Sequence, residues 1–564
     1  MYPKMKQLRT LIPVLFFLGY LALGLSIYDD YGISWDEELQ RQHGLVSAQF
    51  IKEKLNLPGE EITWRKLRGY EFPYHGVLFT LPAYGLERWL GLESFREQYL
   101  LRHLMVFLLF WSSTIVFFFI ARRRLGDWRW ALLATTFLII SPRIFAHSFF
   151  NVKDLVLLPL FIFATGSLLL FLEKRSLWYA ALHALTCAMA ISMRVAAVIL
   201  PALTLGYIFL ELLNNRFDKK LLGEFGRKLL VYLPLTVGLT IGLWPYLWDQ
   251  PFIRFPEAFD IMSQYTWGGK VMLRGMLLFG TEIPWWYAPY WIFITTPLLY
   301  TFLFVVGMVF IVKNMVASLA AEGKLFTSIP QRADLVFLGL SLGPLAAVII
   351  QDAVLYDGWR HLYFIYPAFL LVGIGGLQNW LLRLRENKDG RVYRCARRAF
   401  AGVIGLTLAY NIHFMMTNHP HQQVYFNALT LGDKLTRLDL DYWGLTYYQG
   451  LEYIARQHPG DTVSVAYQSY PAELNWKFLP DSLQERIELV EKPDSAQYYI
   501  SNYRHWEPGI EAYLNREFPY DGEEVFTVQV EESKVLGVYR KLEVGKRPYG
   551  SSLRSEKSEG EVGG

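Results

Sequence analysis

Apolar residues run along this chain in blocks long enough to cross a bilayer, with short polar stretches between them. A bilayer core of about 30 Å takes about 20 residues of helix, and blocks near that length recur about eleven times. They lie over 10–28, 100–121, 128–146, 155–172, 177–193, 195–213, 228–246, 290–312, 333–350, 361–380 and 398–416. The first block runs into Tyr28-Asp29-Asp30 with no small-residue cleavage pattern, so it reads as an uncleaved span and not as a signal peptide. Between the first two blocks, 36–56 and 76–92 carry weaker amphipathic patterns suited to helices lying along the membrane interface.

Beyond the last block the pattern changes. Alternating runs such as Thr462-Val463-Ser464-Val465-Ala466 and Val525-Phe526-Thr527-Val528 predict strands, and helical stretches separate them. The expected fold is an all-α polytopic membrane protein with a small C-terminal soluble α/β domain. Residues 1–417 form the transmembrane domain with a long first loop at 29–99, and 418–545 form the α/β domain. The stretch 546–564, mostly Ser, Glu, Gly and Lys, predicts a disordered tail.

Composition agrees with a chain solvated largely by lipid: 53% of residues are hydrophobic and only 19% charged. The net charge of +4, without an arginine-rich tract, argues against a nucleic-acid partner. Cys187 and Cys395 lie in or beside apolar blocks and imply neither a disulfide nor a cysteine metal site. The basic residues set the orientation, because Lys and Arg concentrate in short cytoplasmic loops. Lys4, Lys6 and Arg9 place the N-terminus inside. Alternation then puts Arg122-Arg123-Arg124, Lys174-Arg175, Arg216 with Lys219-Lys220, 313–332 and 383–398 inside as well. The C-terminal domain is therefore expected outside, on a multi-pass protein of the cell (inner) membrane.

That orientation gathers the unusual polar residues on the outer face. They are Ser34-Trp35-Asp36-Glu37-Glu38, Ser141-Pro142-Arg143 through His147 to Asn151-Val152-Lys153-Asp154, Trp244 to Asp249, and Tyr356-Asp357-Gly358-Trp359-Arg360-His361. A charge at mid-bilayer costs roughly 2.5–3.5 kcal/mol even on the lenient insertion scale, so these groups belong at helix ends or in a wet cavity. Each has a plainer reading. Asp36-Glu37-Glu38 suits the acidic first turn of a helix capped by Ser34, and Lys153-Asp154 suits a flanking ion pair. Arg102 and Arg360-His361 suit side chains reaching for lipid phosphates. The aromatic stretch 247–289 suits an interfacial belt. Their convergence on one face favours a shared site.

Such a site fits transfer of a sugar from a polyprenyl-phosphate carrier, a donor that needs no nucleotide outside the cell. The acceptor hydroxyl needs a base, which Asp36 or Glu37 supplies. The leaving phosphate needs positive charge, for which Arg102, Arg143, Lys153, Arg360 and His361 are candidates. Asn151, Asp154, Tyr356, Asp357 and Trp359 are candidates for holding substrate, and Glu71 with His75 for a divalent metal ion, with no other cofactor implied.

These residues also resemble a known family. Trp35-Asp36-Glu37 is similar to the first-loop acidic motif of family 39 of the GT-C glycosyltransferases, the group of the protein O-mannosyltransferases and the aminoarabinose transferases. Ser141 to Asp154 resembles the second outer loop of its bacterial members, and Tyr356 to His361 another bacterial signature. His419 to Asn427 and Asp441 to Gly444 resemble the segment after the last span. The resemblance implies an inverting glycosyltransferase with about eleven spans, in which Asp36 is the base and Asp154 lies near donor or acceptor. It departs in lacking a Lys-Pro-Pro motif, where Glu71-Phe72-Pro73-Tyr74-His75 stands instead, and in lacking the carbohydrate-binding insert of eukaryotic mannosyltransferases. The acceptor class, whether lipid, glycan or protein, stays open. Three other readings compete, one of them an O-antigen-ligase-like enzyme with a histidine or arginine centre in place of the aspartate. A lipid-linked sugar transporter or flippase would carry polar groups near the midplane and internal repeats. A non-catalytic sensor or scaffold would leave Asp36 dispensable.

Overall fold

The structure is a computed structural model and describes residues 3–70, 72–265, 267–386, 390–430, 432, 434–504 and 522–542. Among them, nine helices are long and apolar enough to cross a membrane. They are Thr10–Ile27, Phe95–Leu125, Asp154–Glu173, Val195–Asn214, Lys219–Leu243, Leu298–Glu322, Ile329–Ile350, Arg360–Glu386 and Gly390–Thr417. The chain is a multi-pass membrane protein.

Three of the apolar blocks depart from a straight span; one of them, 290–312, is divided between the helices Tyr287–Thr295 and Leu298–Glu322. Block 128–146 is a pair of helices, Trp128–Ile139 and Pro142–Phe150, bent by 67°. The cause is local: Pro142 has no N–H to give the preceding turn and pushes Ser141 into extended backbone (φ −95°, ψ 107°). Block 177–193 is a helix of only 15 residues, Leu177–Ile191, and the chain then breaks at Arg194. The break at Arg194 falls beside the cavity described below.

Ion pairs fix one end of the bundle. Arg124 holds buried Asp334 through two parallel hydrogen bonds. Arg332 reaches Glu173 at 3.3 Å and Glu211 at 2.9 Å. Four helix ends that the basic-residue pattern assigns to one side are thereby joined. Truncating Asp334 would leave the Arg124 guanidinium buried and uncompensated. Asp334→Ala is expected to cost about 3–5 kcal/mol, read as a lowered melting temperature in nanodiscs.

Within the spans, His183 donates and accepts between Ser167 Oγ and Thr204 Oγ1, each at 2.8 Å, and stacks on Tyr232. Both ring nitrogens are satisfied, so the group ties neighbouring helices together. Sequence reading did not single it out.

After the last span, five strands among the described residues form one sheet: β3 (Val463–Tyr467), β4 (Ile487–Val490), β5 (Tyr498–Ser501), β6 (Gly522–Val530) and β7 (Ser533–Lys541). Their order is β4-β3-β5-β7-β6. β3 pairs in parallel with β4 and β5, while β7 runs antiparallel to β5 and β6. The expected tail at 546–564 lies outside the described residues. A hairpin of β1 (Lys270–Leu273) and β2 (Met276–Phe279) interrupts the stretch read only as an aromatic belt.

The sheet unit is seated firmly on the rest. Asn475 exchanges hydrogen bonds with both backbone groups of Ile33 at 2.9 Å. Asp439 accepts from Met272 N in the hairpin at 3.0 Å. These contacts join the C-terminal part to the first loop and to the hairpin.

Candidate active site

The first loop separates its two acidic neighbours. Ser34 precedes the helix Trp35–Lys54, and Glu37 turns back so that Oε1 accepts from Ser34 N at 2.7 Å. Its other oxygen meets His103 Nε2 at 2.9 Å, and the side chain is fully buried. Glu37 is thus spent on capping and on docking this helix to Phe95–Leu125. Asp36, one position earlier and rotated by about 100°, faces a cavity.

That cavity encloses about 870 Å³. At its polar end stand Asp36, Lys153, Arg194, Asp357, Arg360 and Arg504. Its far wall is apolar, made by Val198, Ile199 and Ala202 from one span and Pro344, Ala347 and Val348 from another. The aromatic rings of Trp35, Trp267, Tyr356, Tyr442 and Trp443 line it as well. Tyr356 stacks on Trp267 at 4.4 Å.

Arg360 is the hub. Its Nη1 lies 3.0 Å from Asp154 Oδ2 and 3.5 Å from Asp36 Oδ2, and its Nη2 lies 3.4 Å from Asp357 Oδ2. The guanidinium also packs over the rings of Tyr356 and Trp443. Asp154 sits behind the cavity wall, held by Arg194 as well as by Arg360. Lys153 Nζ approaches Asp36 Oδ2 at 4.0 Å. Asp36 therefore has two cations at ion-pair distance, while its Oδ2 receives no hydrogen bond among the described residues. Asp357, by contrast, is clamped between Arg360 and Arg504.

The structure brings Asp36, Lys153, Tyr356, Asp357, Arg360, His361 and His75 of the sequence candidates to this cavity. Others serve elsewhere. Arg102 is buried against Glu87 at 2.6 Å. Arg143 donates to Tyr425 O at 2.8 Å under the Phe426 ring, locking the bent helix to the segment after the last span. Trp359 donates to Thr295 Oγ1. Asn151 accepts from Lys153 N and Asp154 N, which aims those two residues without lining the cavity itself.

Sequence reading missed Arg194 and Arg504. Arg194 carried a signal, a lone charge between two apolar runs. Arg504 carried none, because only the fold of the sheet unit brings it 2.8 Å from Asp357.

Burial pushes the Lys153 ammonium down to about 8, against the opposing pull of Asp36. Burial, and then Lys153 itself, push His75 well below the usual imidazole range. His75 Nε2 faces Lys153 Nζ at 3.5 Å. Among the described residues no group of three or more His, Cys, Asp or Glu could hold a metal ion. Asp154 and Asp357 already answer guanidinium groups. Among the described residues this donor set does not fit a divalent ion. Glu71, the other metal candidate, lies outside the described residues.

No family model matches the chain, and no curated protein matches it. Among solved structures, ArnT from Cupriavidus metallidurans bound to undecaprenyl phosphate is similar over 92% of this chain and 97% of its own, at 14% identity and a TM-score of 0.47. The oligosaccharyltransferase of Archaeoglobus fulgidus is similar over 86% of this chain and 69% of its own, at 14% identity and a TM-score of 0.46. The mycobacterial arabinofuranosyltransferase AftD is similar over 93% of this chain and 40% of its own, at 13% identity and a TM-score of 0.40.

Proposed function

We propose that the chain is an inverting glycosyltransferase of the GT-C class, family 39, that draws a sugar from a polyprenyl-phosphate carrier. One observation carries the reading: a carboxylate whose Oδ2 receives no hydrogen bond among the described residues, Asp36, shares a cavity with Lys153, Arg194 and Arg360, and the same cavity continues between two apolar spans. A hydroxyl acceptor attacks the anomeric carbon from the side away from the phosphate. The new carbon–oxygen bond forms as the bond to the phosphate oxygen breaks. Asp36 takes the hydroxyl proton, and the departing polyprenyl phosphate meets the cations. The sugar, the carrier length and the acceptor, whether lipid, glycan or protein, follow from no single residue. The polar end of the cavity would face the outside of a cell membrane, with the N-terminus cytoplasmic.

A photoreactive polyprenyl phosphate in nanodiscs tests the groove. It should label the faces carrying Ile199 and Val348, with free polyprenyl phosphate competing. Uniform labelling of all lipid-facing helices would contradict the reading.

The depressed Lys153 gives a pH dependence with a definite sign. The ammonium is charged below about 8 and neutral above it, while a phosphodiester donor stays anionic throughout. Donor affinity is expected to fall as pH rises through this value, long before an ordinary lysine would titrate. Lys153→Met should weaken binding at neutral pH and flatten that limb in an affinity profile from pH 6 to 10.

A further inference from the structure

The sheet unit lends the cavity a charged side chain. Arg504 follows β5, where its backbone oxygen accepts from Gln468 Nε2 at 2.9 Å. From there its guanidinium turns inward, is largely buried, and lines the cavity. Nη1 donates to Tyr442 O and Nη2 to Asp357 Oδ1, both at 2.8 Å.

Asp357 is an unusual receiver. It adopts the left-handed backbone region (φ 57°), as does the following Gly358 (φ 77°), a conformation that costs a non-glycine residue free energy unless its surroundings hold it. Its two oxygens are divided between two guanidinium groups, Oδ1 to Arg504 and Oδ2 to Arg360. Arg360 in turn faces Asp36 and Asp154. A chain of ion pairs therefore leads from the sheet unit to the carboxylate proposed as the base.

We infer that Arg504 is a positioning residue for the donor phosphate: by occupying one oxygen of Asp357, it keeps the Arg360 guanidinium from being drawn further onto that carboxylate and away from the cavity. The inference rests on the donor reading above. Without Arg504, Asp357 is a buried carboxylate with one partner where it had two. It draws Arg360 toward itself and adds uncompensated negative charge beside the phosphate site. The sheet unit is then a working part of the site, and its docking sets how strongly the cavity holds an anionic lipid.

The test uses the full chain in nanodiscs and polyprenyl phosphate as the probe, with affinity read for wild type, Arg504→Ala, Arg504→Lys and the double variant Asp357→Asn with Arg504→Ala. Arg504→Ala should weaken binding ~10-fold, and the double variant should recover to within ~3-fold of wild type, because the unpaired carboxylate is gone. Arg504→Lys, which keeps a charge near Asp357, should lose less than alanine. A role confined to holding the sheet unit in place makes the opposite forecast, since removing Asp357 restores no docking contact. A double variant no tighter than Arg504→Ala would overturn the inference, as would Arg504→Ala binding like wild type, and either result leaves the donor reading standing. Failure of the wild type to bind polyprenyl phosphate would overturn both.

Discussion

Asp36→Asn is expected to lose glycosyl transfer by about 10²–10⁴-fold, the range for removal of a general base, while the protein still inserts and melts near the wild-type temperature. The asparagine keeps the shape of the side chain at the first turn of the helix Trp35–Lys54, whose start is secured by Glu37 and not by Asp36. Nothing in the helix cap or in the His103 contact depends on the substituted carboxylate. The substitution removes the charge and one acceptor oxygen. Affinity for polyprenyl phosphate should hold or rise, because an anion beside Lys153 and Arg360 has gone. Loss of turnover with donor binding retained separates the base from the phosphate site. Glu37→Gln should give the contrasting result, a lowered melting temperature from a weakened cap and His103 contact.

Arg360→Gln is expected to damage both folding and binding. Arg360 is almost wholly buried and answers Asp36, Asp154 and Asp357 at once. Removing one partner of a buried ionic group costs about 3–5 kcal/mol, because the carboxylates left behind remain out of water. Arg194 still holds Asp154 and Arg504 still holds Asp357, so the fold should survive with a lower melting temperature. Donor affinity should fall more steeply than in Lys153→Met, since a guanidinium offers a phosphate two parallel hydrogen bonds. Thermal unfolding and polyprenyl phosphate titration on the same preparation read the two effects separately. An Arg360→Gln protein that melts lower yet binds the lipid normally would remove Arg360 from the phosphate site.

Much of the architecture was legible as hydropathy, because a span must bury its backbone polar groups in a helix of fixed minimum length. The apolar blocks at 155–172 and 333–350 became the spans Asp154–Glu173 and Ile329–Ile350 nearly residue for residue. The bend at Ser141-Pro142 was present in the sequence as a proline but hidden within a continuous apolar run. The hairpin of β1 and β2 was hidden by its own aromatic neighbours, which suit an interfacial belt equally well.

The site was legible in part, for a physical reason. Polar residues at the outer ends of spans must find water or each other, which drew attention to Asp36, Lys153 and Arg360. The same logic cannot tell a side chain facing a cavity from one buried in a structural pair. Glu37 and Asp36 are adjacent, yet one caps a helix and the other faces open space. Arg102 and Arg143 satisfy the same sequence criterion, and each is consumed by a fixed partner. Arg504 is the converse case, a residue of the sheet unit that only the fold carries to the cavity.

The most direct measurement is release of free polyprenyl phosphate by the purified chain in nanodiscs, using a panel of polyprenyl-phosphate-linked hexoses and pentoses with mixed hydroxyl acceptors. Release from at least one donor by the wild type, and its loss in Asp36→Asn, is the expected result. Release that is unchanged in Asp36→Asn would contradict the assigned base. Tight binding of every donor with no release under any acceptor would contradict transfer itself and favour a carrier of the same lipid.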